Sequence, residues 1–202
     1  MTKLISYITL KQPRIIDFSE ARQDLLRPTA TPWAFFLDSD ETITEELRRE
    51  INQAAKHKAY NYAVKRTDWF LGRKLNYGES GHNRFIRLVQ PKTGSWQGQV
   101  HEKFISSLPV KTLVHPLLHR QNISIRRFIH RLNYYSSLRA VELAGDSLNL
   151  LKLIFFPGFK FIYNYFFRLG FKDGFPGLAL AFLMSLHSLM VRVKVYEKTA
   201  AI

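Results

Sequence analysis

The sequence predicts an α/β fold over residues 1–121 and a helical, strongly apolar region over residues 122–202. The first observation behind this prediction is the run Trp33–Leu37. Its five apolar residues stand between Pro32 and an acidic cluster, a pattern typical of a short strand buried on both faces. The second observation is that strand-like and helix-like segments alternate up to this boundary, whereas helical apolar spacing dominates after it. Together they indicate a sheet with packed helices and a helical appendage.

Local patterns predict the individual elements. A first short helix has Asp17 or Ser19 as its N-cap and ends before Pro28. A second helix, 45–56, carries an apolar stripe at four- and three-residue spacing, and a third helix begins at Asn122. Besides Trp33–Leu37, strands are predicted within 1–16 (ending near Pro13) and at 60–66, 84–89 and 110–114.

The composition limits the possible functions. The 202 residues are 46% hydrophobic and 14% aromatic, which is enough for a packed core and too apolar for a disordered chain. There is no cysteine, so a disulfide framework and a cysteine-based metal site are excluded, which fits a cytoplasmic location. The net charge is +14, from 30 Lys and Arg against 16 Asp and Glu. A chain that is both basic and apolar favours an anionic membrane surface as partner, and no nucleic-acid-binding motif is present.

The C-terminal region is predicted to lie at a membrane. Leu148–Phe171 is aromatic and aliphatic, yet cations recur through it, and Pro157 with Gly158 is expected to interrupt it. A cation at mid-bilayer costs about 2.5–3.5 kcal/mol, so we expect helices in the interface with Lys and Arg at headgroup level. The alternative is a spanning helix at Gly174–Val191, whose 18 uncharged residues are at the lower limit for crossing a bilayer. The basic face of the helix from Asn122 is either solvated or in contact with phosphate or lipid headgroups.

Two carboxylates follow the apolar strand directly. Asp38 and Asp40 lie at its carboxyl end, where open α/β sheets place ligand chemistry. Residues two apart in an extended chain point the same way, so both side chains can bind one hard cation. The alternative is that Asp40 or Thr42 caps the next helix, because Thr42–Glu45 fits a capping box.

Blocks along nearly the whole chain resemble family 2 glycosyltransferases, in the bacterial branch that builds lipopolysaccharide cores and related glycans. Asp17–Arg22 is similar to the family's Asn/Asp-Phe-x-x-x-Arg segment, and Trp33–Glu41 is similar to its Trp-x-x-x-Leu-Asp-x-Asp-Glu strand. Further blocks follow in the family's order: Trp69–Arg73, Arg87–Val89, Val100–Glu102, Pro116–His119, Leu132–Ser136 and Lys172–Gly177. The resemblance implies a partial GT-A fold, the mixed-sheet fold of nucleotide-diphospho-sugar transferases, in residues 1–121, with a membrane-associated appendage in residues 122–202.

The resemblance also implies a reaction. It is the inverting, metal-dependent transfer of a sugar from a nucleotide-sugar donor to a lipid-linked or glycan acceptor. Asp38 and Asp40 would hold Mg²⁺ or Mn²⁺ against the donor diphosphate. Glu102 would be the general base that takes the proton of the acceptor hydroxyl. The implied location is the cytoplasmic face of the inner membrane, with peripheral or monotopic attachment.

Three further residues have open assignments. Arg87 and Arg84 either pair with the donor diphosphate or simply flank a strand, and Arg87 is favoured because it lies in a matching block. His119 either adds a metal or phosphate contact or is structural.

The chain departs from the family at its start. Family members begin with a βαβ unit that holds the base and ribose through a Pro-x-Tyr-Asn/Asp segment and an Asp-Ser/Gly-x-Ser-x-Asp turn. Nothing in Met1–Ile16 matches either motif, so this nucleotide-binding unit is expected to be missing. The alternative to an enzyme is therefore a non-catalytic remnant of one that acts only as a membrane-binding protein.

Overall fold

The computed structural model describes residues 3–11, 15–98, 102–120, 123–143 and 150–200. The chain divides into two compact units, one formed by Met1–Thr67 with Asn83–Arg120 and the other by Asp68–His82 with Gln121–Ile202. The predicted boundary at residues 121 and 122 lies outside the described residues, as does the predicted strand end near Pro13.

The described elements alternate between strands and helices in the first part of the chain and are helical at its end. The strands are β1 (Ile5–Leu10), β2 (Trp33–Asp38), β3 (Glu41–Thr42), β4 (Asn61–Phe70), β5 (Arg73–Lys74), β6 (Arg84–Val89), β7 (Gly94–Gln97), β8 (Lys103–Ser106) and β9 (Val110–Arg120). The helices are α1 (Phe18–Leu26), α2 (Glu45–Ala54), α3 (Ile125–Glu142), α4 (Leu150–Ile162) and α5 (Gly174–Ala200).

The first unit is built on a mixed sheet with the strand order β1-β2-β6-β4-β9-β3. β1 is parallel to β2, whereas β2 with β6, β6 with β4, and β3 with β9 pair antiparallel. β7 and β8 form a separate hairpin in which Trp96 lies opposite Phe104. The predicted α/β class with a mixed sheet is confirmed.

β2 is buried on both faces, as predicted. Trp33 and Phe35 pack into one hydrophobic cluster with residues of α2, β4 and β9. Ala34 and Phe36 pack into a second cluster with residues of α1 and the β7–β8 hairpin. All four side chains are fully buried, which makes β2 a rigid base for the residues that follow it.

Both N-terminal helices have defined caps. The Asp17 side chain accepts a hydrogen bond from Glu20 N at 3.0 Å and caps α1, which confirms one of the two predicted caps. The Thr44 hydroxyl accepts one from Leu47 N at 3.2 Å and caps α2. The prediction that Asp40 or Thr42 caps this helix is therefore wrong.

The second unit is helical, with α5 packed against α3 and α4. Lys194 on α5 donates to Asn133 Oδ1 at 2.6 Å and to Ser136 Oγ at 2.8 Å on α3. In the same unit the Asp173 carboxylate accepts hydrogen bonds from the backbone N–H groups of Asn76 and Tyr77.

The predicted interruption at Pro157 and Gly158 is wrong, because α4 continues through both residues. Proline removes one helical hydrogen bond. Packing against α5 stabilises the helix here, and Ser185 Oγ of α5 donates to the Pro157 carbonyl at 2.7 Å. The chain leaves the helical path later, through a π-helical turn at Tyr163–Phe167 and at Leu169, whose φ is 59°.

α5 extends beyond the predicted segment at 174–191 and ends at Ala200. Among the described residues, one helical segment, Gly170–Thr199, is long and apolar enough to cross a membrane by length and composition. The interfacial and the spanning alternatives both stay predictions.

Candidate active site

A cluster of charged side chains surrounds the carboxyl end of β2. The Asp38 carboxylate accepts hydrogen bonds from Arg22 Nη2 at 2.9 Å and from Arg87 Nη2 at 2.7 Å, one on each oxygen. Arg22 belongs to α1, and Arg87 belongs to β6, the antiparallel neighbour of β2. Both guanidinium side chains are 3% exposed, so Asp38 binds two buried cations.

Glu41 completes the pairing of Arg87. Its fully buried carboxylate accepts from Arg87 Nη2 at 2.6 Å through Oε1 and from the backbone N–H of Asp38 at 2.9 Å through Oε2. Arg66 Nη1 lies 3.9 Å from Glu41 Oε1. Glu41 therefore closes the turn after β2 and fixes the orientation of Asp38.

Arg22 also contacts the predicted general base. Its Nε donates to Glu102 Oε1 at 3.0 Å while its Nη2 binds Asp38. The guanidinium carbon lies 5.3 Å from the centroid of the Trp96 ring and 5.5 Å from that of Phe36, within range of a cation–π interaction. One guanidinium thus positions Asp38 and Glu102 together.

The ionisation of Asp38 is set by its two arginines. Burial alone would raise the pKa of the Asp38 carboxyl, but the charges and hydrogen bonds of Arg87 and Arg22 outweigh burial and lower the pKa to about 2. Burial alone would lower the pKa of the Arg87 guanidinium, but the charges of Asp38 and Glu41 outweigh burial and raise this pKa above its ordinary value. Asp38 and Arg87 are therefore charged throughout the physiological pH range.

Asp40 lies beside His119. The pairing of β3 with β9 places Glu41 opposite His119, and Asp40 directly precedes Glu41. Asp40 Oδ2 is 3.4 Å from His119 Nε2, with side chains that are 34% and 10% exposed. The structure thus brings together two of the three predicted metal ligands, while the third, Asp38, binds arginines.

Asp40 and His119 are close enough together to hold one divalent cation. Both Asp38 oxygens already accept hydrogen bonds from guanidinium groups. Two ligand atoms at right angles, each about 2.1 Å from one Mg²⁺, lie roughly 3 Å apart. The separation of 3.4 Å between Asp40 and His119 is close to that value. Within the described ranges no group of three His, Asp or Glu side chains could hold one metal ion.

A cavity of about 370 Å³ opens beside Glu102. Both arginines predicted to bind the donor diphosphate line it, together with Phe85, Trp96 and Lys103. Arg87 is buried and bound to two carboxylates, whereas Arg84 is exposed. Of the two arginines, Arg84 is therefore the one that a ligand can reach.

Sequence reasoning assigned no role to Arg22 or Glu41. Both lie in recognised blocks, Arg22 as the arginine of Asp17–Arg22 and Glu41 as the last residue of Trp33–Glu41. The presence of each charge in a block that resembles the family was the available signal. Its meaning depends on partners distant in the sequence, since Arg22 and Glu102 are 80 positions apart.

The low pKa of Asp38 predicts a pH-dependent contribution to stability. A carboxyl whose pKa falls from 3.8 to about 2 on folding contributes roughly 2 kcal/mol above pH 4, and this contribution is lost as the pH falls from about 4 to about 2. The free energy of unfolding of Asp38→Asn should be lower than wild type at pH 7, and the difference should shrink below pH 4. Denaturant titrations at pH 7, 4 and 3 measure it. Asp24→Asn, which removes an exposed surface ion pair with Arg27, is the control and should cost little at any pH. If the free energy of unfolding of Asp38→Asn is lower than wild type by the same amount at every pH, the low pKa assigned to Asp38 is contradicted.

Comparison with known proteins bears on the family of the chain. No protein-family model matches the chain. The chain is similar to the lipopolysaccharide core biosynthesis glycosyltransferase LpsC of Rhizobium meliloti (strain 1021), with 27% identity over 195 residues that cover 91% of this chain and 70% of the relative. This similarity supports a glycosyltransferase family for the chain.

Proposed function

We propose that the chain is a glycosyltransferase that moves a sugar from a nucleotide-sugar donor to a lipid-linked or glycan acceptor in lipopolysaccharide biosynthesis, with inversion at the anomeric carbon. The observation that carries the proposal is the bridge of Arg22 to Asp38 and Glu102, which assembles the two predicted functional segments into one site. The similarity to a lipopolysaccharide core glycosyltransferase supports the reaction class. The mixed sheet of the first unit supports the GT-A form of the fold.

Glu102 is the general base in this proposal. Arg22 fixes its Oε1, so that Oε2 can take the proton of the acceptor hydroxyl. The Glu102 side chain is 17% exposed and lines the cavity, which gives a hydroxyl access to it. A base held in this way is preorganised and loses little entropy when the acceptor binds.

The transfer is a single displacement. The acceptor oxygen forms a bond to the anomeric carbon while the bond from that carbon to the donor diphosphate breaks. The electron pair of the broken bond leaves with the nucleoside diphosphate, and the hydroxyl proton passes to Glu102. Attack on the face opposite the leaving group inverts the anomeric configuration.

Asp40 and His119 would hold Mg²⁺ or Mn²⁺ near the donor diphosphate. Bound there, such a cation would supply positive charge against the charge that builds on the leaving group. Asp38 and Arg87 do not contact the cation in this proposal. Their ion pair, and the hydrogen bond that the Asp38 backbone N–H donates to Glu41, fix the turn that carries Asp40. Arg87 is thus a positioning residue rather than a donor ligand in this proposal.

Glu102→Gln should abolish turnover. The amide keeps the size of the side chain but cannot accept the proton, so the rate of nucleoside diphosphate release should fall by about 10²–10⁴, with donor binding retained. A screen of nucleotide-sugars that measures released nucleoside diphosphate tests this, and chelation with EDTA should abolish release. Glu46→Gln, at an exposed position on α2, is the control. Turnover of Glu102→Gln within a few-fold of wild type would overturn the assignment.

We also propose that the second unit attaches the protein to the cytoplasmic face of the inner membrane. Six phenylalanines of this unit are 54–72% exposed, and we call them the aromatic surface: Phe155, Phe159, Phe166, Phe167, Phe175 and Phe182. Exposed apolar area on this scale marks an interaction surface. Cations accompany it, since Arg168 and Lys172 follow Phe167 and α3 exposes Arg126 and Arg127. Anionic lipid accommodates both features, burying the rings while the cations meet headgroups.

Removing part of the aromatic surface should release the protein from liposomes. Burying a Phe contributes about 1.5–3 kcal/mol, so partial burial of three rings amounts to more than tenfold in affinity. The triple variant Phe155→Ser, Phe159→Ser and Phe167→Ser should therefore bind anionic liposomes at least tenfold more weakly in sedimentation assays. The control replaces Ile16, Ile105 and Val114 by Ser, at similarly exposed positions in the first unit. Equal binding of the triple variant, or equal binding of wild type to neutral and anionic liposomes, would contradict the proposal.

A further inference from the structure

The cavity beside Glu102 contains more positive charge than the catalytic proposal uses. The buried ion-pair network next to it is balanced, because Asp38, Glu41 and Glu102 face three arginines: Arg22, Arg66 and Arg87. Arg84 and Lys103 line the cavity as well, and both are exposed. Within the described part of the chain neither forms an ion pair with a carboxylate. The cavity thus carries two cations in excess.

The walls of the cavity are partly aromatic. Trp96 and Phe85 supply flat apolar surface of the kind that packs against a sugar ring. At about 370 Å³ the cavity lies within the 300–1,000 Å³ typical of small-molecule sites.

Glu102 connects this cavity to the reaction. A general base must come within hydrogen-bond distance of the hydroxyl that it deprotonates. Because Glu102 lines the cavity, the reacting sugar of the acceptor must reach into it. We infer that this sugar is anionic: it carries a phosphate or carboxylate group that binds Arg84 and Lys103 while its ring packs against Trp96. This inference rests on the proposed function, since it assigns the substrate class of the same site.

The same two cations would also suit the diphosphate of the donor, so the experiment must separate the two sources of phosphate. Ligand-observed NMR titrations of the full chain use three probes: glucose 6-phosphate, methyl glucoside, and UDP, ADP or GDP with Mn²⁺. Glucose 6-phosphate should bind at least tenfold more tightly than the neutral glucoside. The double variant Arg84→Ala/Lys103→Ala should lose about tenfold in affinity for glucose 6-phosphate, because charge-assisted hydrogen bonds are lost. Its affinity for the nucleoside diphosphate with Mn²⁺ should stay within twofold of wild type.

The matched control is Lys58→Ala/Lys92→Ala, which removes two exposed cations of the same unit away from the cavity walls. It should change neither affinity. If it weakens glucose 6-phosphate binding as much as Arg84→Ala/Lys103→Ala does, the protein's net charge rather than a specific site attracts the anion, and the inference is overturned. Equal binding of the phosphorylated and neutral sugars would overturn it too. If the double variant instead loses nucleoside diphosphate binding and keeps glucose 6-phosphate binding, the cations hold the donor, and the inference fails while the proposed function stands. If glucose 6-phosphate binds as expected but no nucleoside diphosphate binds, the anion site stands and the proposed function fails.

Discussion

The contact of one guanidinium, Arg22, with two carboxylates, Asp38 and Glu102, is the interaction on which the site in the first unit depends. Burying three charges is unfavourable unless each finds a partner, and removing one member of such a cluster typically costs about 3–5 kcal/mol because a charge is left uncompensated. Arg87 and Glu41 continue this cluster, in which positive and negative side chains alternate. The cluster therefore holds together as a whole. Its geometry follows from hydrogen bonds of 2.6–3.0 Å among planar groups, which allow little freedom.

This arrangement gives different roles to Asp38, the last residue of β2, and to Asp40, which follows the strand. Asp38 lies at the end of a strand buried on both faces and is hydrogen-bonded to two guanidinium groups, so it acts as a positioning residue. Asp40, two residues later, reaches His119 because β3 pairs with β9. β2 thus fixes Asp38, and the hydrogen bond from the Asp38 backbone N–H to Glu41 fixes the turn that carries Asp40, the carboxylate that we propose as a metal ligand. Asp38 also holds Arg22, which in turn orients Glu102 at the cavity where an acceptor would bind.

Local patterns were enough to predict the elements that surround this site. The apolar run Trp33–Leu37, the cap at Asp17 and the strand at 84–89 all follow from near neighbours in the sequence, and the structure confirms them. The pairing of side chains that are far apart in the sequence could not be predicted in this way. Nothing local indicates that Arg22 binds Asp38 and Glu102, because that pairing depends on how α1 packs beside β1 and β7. The prediction at Pro157 failed for a related reason, since the cost of proline to an isolated helix is outweighed by packing within the second unit. The metal, the general base and the membrane contact stay predictions that the geometry makes specific.

The kinetics of Arg22→Lys test the central claim most directly. Lysine keeps the charge but lacks the planar fork that binds two carboxylates at once, so the fold should persist while Glu102 loses its orientation. The account predicts that kcat for nucleoside diphosphate release falls by about 10²–10⁴ while the KM for the donor changes by no more than a few-fold. Circular dichroism and a denaturant titration would verify that the variant is folded. A folded Arg22→Lys enzyme that turns over at the wild-type rate would contradict the account, because the bridge would then have no part in positioning the base.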